Sequence, residues 1–91
     1  MLTETNIETL EALDAFIRAR GYSPSLRDLS EMLGVTHGAV NLRVIELRDK
    51  GLVKYEPRKG RTMRIDRRAL REVTTDLGNT YARLLDVEER A

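Results

Sequence analysis

Residues 36–45 carry the most specific chemistry in this chain. The amide of Asn41 can donate to N7 and accept from N6 of adenine at once, a paired contact worth about 1–3 kcal/mol of discrimination. His37, one turn earlier on a helix, can bond a base acceptor or a phosphate. Gly38 lets a backbone approach a groove closely. Leu42 can meet a thymine methyl, and Thr36 places a hydroxyl at the start of the run. Each also has an ordinary reading: an exposed polar group, a small residue in a first turn or, for Ile45, packing under a neighbouring element. On a helix these residues fall opposite Val40, Val44 and Leu47, whose i, i+4, i+7 spacing marks a buried stripe.

A second set suits phosphates, which position a protein without reading sequence. Ser25 and Arg27 stand where a helix begins, and there free N–H groups and the helix dipole favour an anion. Arg43 lies beside the reading face. Lys54, Arg58, Lys59 and Arg61 belong to a block of eight bases against two acids over residues 54–71. The flanks have the opposite sign: four acids and two bases over residues 1–20, five and two over residues 72–91. Such a block in a chain of net charge +1 points to an anionic partner for one face.

Catalysis has little to work with. There is no cysteine, hence no disulfide or thiolate metal site, and the single His37 makes no zinc site by itself. No glycine loop of the phosphate-cradling type is present, and Ser23, Ser25 and Ser30 cluster around the first half of the helical motif described next. We expect no enzyme, no cofactor and no metal.

Residues 25–51 hold the reading set in place, as a helix-turn-helix. Leu26, Leu29, Met32 and Leu33 mark one apolar face, with Ser25 as N-cap and Asp28 in the first turn. Gly34 ends this helix. Thr36 caps the next, which Lys50 and Gly51 close. Two helices joined by a glycine turn of about three to four residues match the DNA-reading motif, whose second helix enters the major groove. Residues 3–20 form a preceding helix with Ile7, Leu10, Leu13, Phe16 and Ile17 inward, capped by Thr3 or Thr5, and Thr5 with Glu8 makes a capping-box pattern. Gly21 ends it. Tyr22 in the connector is expected to pack on the core.

After Gly51 the period changes to two. Residues 52–56 and 62–66 read as short strands around a basic Pro/Gly turn, a hairpin placed to act as a wing. Residues 67–90 return to helical spacing, with Leu70, Val73, Leu77, Leu84 and Val87 on one stripe and a break at Gly78-Asn79. That stripe either packs on the core in its first part or forms a dimer. Ninety-one residues make one small core, so a dimer is a reasonable expectation. No apolar run reaches membrane-spanning length, and the N-terminus is acidic and amphipathic, unlike a signal peptide.

Leu2-Thr3 opening the first helix, the run GYSPSLRDLSEMLGVT, the exit LRDKGLV and the wing end RTMRI together resemble the DNA-binding domain of the LexA SOS repressor family over roughly residues 2–66. The resemblance implies a winged helix-turn-helix that binds operator DNA as a dimer and represses transcription. Asn6 stands where the family usually has glutamine. The helix VTHGAVNLR departs from the usual pattern, which implies a different operator. The family's self-cleaving peptidase domain needs a serine nucleophile and a lysine base, and residues 67–91 contain neither. Self-cleavage is therefore not carried over, and the chain is expected to be either a free-standing relative or a fragment with its own tail.

The resulting expectation is a mainly α fold with a small β-hairpin. Residues 1–66 form the winged helix-turn-helix, and residues 67–91 a helical extension that serves as a possible dimerisation element. The function expected is a cytoplasmic, sequence-specific double-stranded DNA-binding repressor acting as a homodimer. The alternative is a protein-interaction module that modulates another repressor or a replication or partition protein.

Overall fold

In a computed structural model, residues 2–56 and 58–74 are described. The order is α1 (Glu4–Arg20), α2 (Leu26–Leu33), α3 (His37–Asp49), β1 (Val53–Lys54), β2 (Arg64–Ile65) and α4 (Arg67–Thr74). This is the expected winged helix-turn-helix, mainly α with a small antiparallel hairpin. Each boundary has a local cause. The first cap is Thr3, whose hydroxyl accepts the Asn6 N–H at 3.1 Å while Asn6 Oδ1 accepts the Thr3 N–H at 2.9 Å. The capping box is therefore Thr3 with Asn6, not Thr5 with Glu8; the Thr5 carbonyl instead accepts the Thr9 hydroxyl inside the helix.

Ser25 and Asp28 form the second box, at 3.0 Å in both directions. Gly34 at φ +68° stops α2 and turns the chain, a left-handed conformation that costs other residues a Cβ clash. Thr36 then caps α3 through the Ala39 N–H at 3.1 Å.

The three helices enclose Leu10, Leu13, Leu29, Val40, Val44 and Leu47, and the wing root adds Leu52, Val53 and Met63. Ile7, Ile17, Leu26 and Leu33 pack half-buried around them. Truncating a central member such as Leu29 to Ala costs about 2–5 kcal/mol, because both transfer energy and packing are lost. Three expected core residues lie outside it. Met32 is 46% exposed and Tyr22 47%. Phe16 meets Tyr22 edge-on, ring centres 5.7 Å apart, rather than entering the core. α2 is eight residues long and packs on α1 and α3 through the stripe around Leu29, and Met32 falls beyond its edge.

The hairpin pairs Val53 with Ile65 and Lys54 with Arg64. Its strands are two residues long rather than five, because side-chain and turn bonds replace the ladder beyond them. Thr62 Oγ1 accepts the Glu56 N–H at 2.9 Å and donates to the Lys59 carbonyl at 3.1 Å. Arg58 and Arg61 adopt φ of +65° and +60° to close the loop.

Asp66 accepts the Ala69 N–H at 3.1 Å as α4 begins. Leu70, expected on a dimer-forming stripe, is instead 0% exposed within the chain's own core. The packed unit thus continues past Asp66. Val73 belongs to α4, but its side chain, like Leu77, Leu84 and Val87, lies outside the described part of the structure.

Candidate nucleic-acid interface

The wing folds beside α3 and leaves a groove of about 480 Å³ between them. It gathers residues from three distant parts of the chain. Ser25 and Arg27 come from the start of α2, His37 and Asn41 from α3, and Arg58, Lys59 and Arg61 from the wing. Seven of the expected contact residues therefore line one cleft. Asn41 is half-buried there rather than opposite the buried stripe, since α3 turns its His37–Asn41–Val44–Arg48 flank toward the wing. Leu42 is 67% exposed on the open side of α3, with His37 and Gly38 exposed near its start.

Several of the expected residues also make bonds within the chain. The Thr36 hydroxyl caps α3 and the Ser25 hydroxyl caps α2. Arg43 is half-buried, its Nη1 buried without a hydrogen bond. Lys54 projects from the other face of the hairpin, because side chains alternate along a strand; its Nζ lies 3.4 Å from Asp66. Arg61 turns inward to Asp28 at 3.1 Å. Lys59 pairs with Glu56 at 3.5 Å, both exposed, an interaction of small energetic weight. Arg27 and Arg58 are exposed on the groove rim.

Two groove residues, Arg48 and Tyr55, are not marked by the sequence patterns above. Arg48 lies 5.7 Å over the Tyr55 ring and donates to its hydroxyl at 3.3 Å, bracing the end of α3 against the wing. The signal that points to it is spacing: Arg48 is seven residues after Asn41, hence on the same helical flank.

The electrostatics follow from the caps. The Ser25 N–H, then the Ser25 hydroxyl and Arg61, hold the Asp28 carboxyl below its ordinary range against the effect of desolvation. The Ala69 N–H, with Lys54, does the same for Asp66. Among the described residues no group of three His, Asp or Glu is placed to hold a metal ion, and no helix is long and apolar enough to cross a membrane. The arrangement can dock a polyanion along the groove while presenting an amide, an imidazole and an aliphatic side chain to whatever lies under α3.

A family model described as the LexA DNA binding domain matches residues 1–62. The LexA repressor of Oleidesulfovibrio alaskensis is 33% identical over 64 residues, covering 70% of this chain and 31% of that protein. The LexA repressor of Mycolicibacterium smegmatis is 31% identical over 86 residues, covering 89% of this chain and 35% of that protein. The chain thus spans about a third of the length of these relatives. Among solved structures, the transcriptional regulator Tm0710 from Thermotoga maritima shares the fold, with a TM-score of 0.54 at 20% identity over 97% of this chain and 72% of that one.

Proposed function

The chain belongs to the LexA DNA-binding domain family, and on that premise we propose that it binds double-stranded DNA sequence-specifically as a transcriptional regulator. Its role is repression, exerted by a dimer that occupies a palindromic or repeated operator and blocks polymerase sterically. The observation that carries this reading is the groove: one cleft joins the start of α2, the flank of α3 and the wing tip, with Leu42 bare beside it. Asn41, His37, Gly38 and Leu42 meet base edges. Ser25, Arg27, Arg58 and Lys59 meet the backbone, with Thr36, Arg43 and Lys54 at the margin of the footprint. The chemistry is binding, with no catalytic step, and the protein works in the cytoplasm, where its DNA is.

Dimerisation falls to the extension that follows the packed part of α4, since Leu70 is already used inside the monomer. Selection of bound duplexes from a random pool at near-physiological salt tests the whole reading. An enriched palindrome or direct repeat is expected, and its half-site spacing reports the dimer geometry. A folded protein that enriches nothing would overturn it.

A further inference from the structure

Arg61 is by composition one more base of the wing, yet its side chain, 49% exposed, leans back along the protein surface. Its guanidinium lies 3.1 Å from the Asp28 carboxylate, donates to the Ser23 carbonyl at 3.3 Å and covers the Tyr22 ring at 5.2 Å. Two residues on, the Met63 N–H donates to the Ser23 hydroxyl at 3.0 Å. Asp28 is itself tied to α2, because its carboxylate also accepts the Ser25 N–H in the capping box. A continuous path therefore runs from the first turn of α2 through Asp28 and Arg61 into the wing. The root of the wing is held by Leu52, Val53 and Met63 in the core and by Arg48 on Tyr55, and the clamp adds a tie nearer its tip. The ladder of the wing is two residues long on each side, and residues 55–63 lie between the strands. Arg61 even holds a left-handed backbone, uncommon for a residue with a Cβ, while one guanidinium nitrogen, Nη1, serves both Asp28 and Ser23.

We propose that Arg61 and Asp28 are positioning residues: the clamp sets the reach of the wing relative to α3, and so decides which phosphates Arg58 and Lys59 meet. This deepens the DNA reading above and rests on it. The alternative role for Arg61, a direct phosphate contact, makes opposite predictions. A lysine at this position keeps the charge but loses the planar guanidinium that covers Tyr22 while Nη1 meets Asp28 and Ser23, so it preserves a phosphate contact and breaks the clamp. An amide in place of Asp28 keeps an oxygen for the Ser25 N–H but frees Arg61 and removes a negative charge.

The test uses the full chain, mixed-sequence duplex DNA as probe, and amide hydrogen exchange without DNA. In R61K we expect the Met63 amide to exchange about tenfold faster while the α3 amides are unchanged. DNA affinity should fall about fivefold, and the salt slope should fall by roughly one to two units although the charge is kept. D28N should also bind more weakly. In an R58A/K59A background, R61K should have little further effect, because it acts through those two residues. Tighter binding by D28N, wild-type binding by R61K, or a full R61K loss in the R58A/K59A background would overturn the proposal. An unchanged Met63 amide in R61K would also overturn it, by removing the clamp. If the wild-type chain bound no duplex at all, the DNA reading itself would fall, a result the exchange measurement keeps separate from failure of the clamp.

Discussion

The carboxylate of Asp14, buried in the middle of α1, receives the guanidinium of Arg67, the first residue of α4. Arg18 approaches the same carboxylate at 2.6 Å from one turn further along α1. This ties α4 to the helical core at its first residue, and Leu70 completes the attachment one turn later. Asp14 thus has two cations. Removing Arg67 leaves a buried charge with one half-exposed partner. R67A should therefore destabilise the fold by about 1–3 kcal/mol, less than the loss of a sole partner. Denaturant unfolding followed by circular dichroism measures this, and an unchanged midpoint would mean that α4 is not held by the pair.

Asn41 sits where the wall of the groove meets the open face of α3. N41A should relax the preference at a single base pair by about 1–3 kcal/mol and leave affinity for mixed-sequence DNA nearly unchanged. Selections run in parallel on the two proteins report this. An equal loss against every sequence would assign Asn41 to shaping the groove instead of reading a base.

Arg58 and Lys59 stand at the exposed tip of the wing. R58A with K59A should weaken binding to all sequences alike and reduce the salt dependence by roughly one unit for each phosphate no longer neutralised. The exposed Lys59–Glu56 pair at 3.5 Å is too weakly held to prevent Lys59 from exchanging partners. A titration series in potassium chloride gives the slope, and an unaltered slope would take the wing tip out of the interface.

The two cap carboxylates make stability depend on acid. Asp28 and Asp66 are held below the ordinary aspartate value of about 3.9, chiefly by the N–H groups of Ser25 and Ala69. A depressed native pKa adds stability that is fully present above the unfolded value and is lost as pH falls through the native one. Thermal midpoints should therefore hold steady near neutrality and drop below about pH 4. D28N with D66N should lower the neutral midpoint and flatten that acid limb. Equal acid sensitivity in the double variant would place the effect elsewhere.

Truncation after Thr74 keeps α1 through α4 with the wing and removes the remaining extension. If that extension holds the dimer, the shortened chain should sediment as a monomer, stay folded and lose affinity for a two-half-site operator far more than for one half-site. A dimer that survives the cut would place the interface on the winged helix itself.

The elements were legible because their signals are local. Ser25, Gly34, Thr36 and Gly51 act within one turn of themselves, and the spacing of Leu10, Leu13, Val40, Val44 and Leu47 assigns faces with no knowledge of neighbours. The misplacements share one cause. Met32 and Phe16 obey helical periodicity as Leu29 and Leu13 do, but whether a flank residue is covered depends on how wide the packed stripe is. The Thr3–Asn6 box won over Thr5–Glu8 because the chain enters α1 from Leu2, which is buried against the core. Leu70 fits a dimer stripe and a core position equally well on paper.

The sequence by itself determined the order of helices, the caps, the wing and the basic block, since each follows from propensity, capping and charge within a few residues. Only the tertiary structure decided which carboxylate each base meets. It turned Arg61 into Asp28, Lys54 toward Asp66 and Arg67 into Asp14, and left Arg27 and Arg58 outward. The reason is physical: a charged side chain is assigned by the carboxylate it meets, and these three carboxylates lie 33, 12 and 53 residues away along the chain but within bonding distance once it has folded.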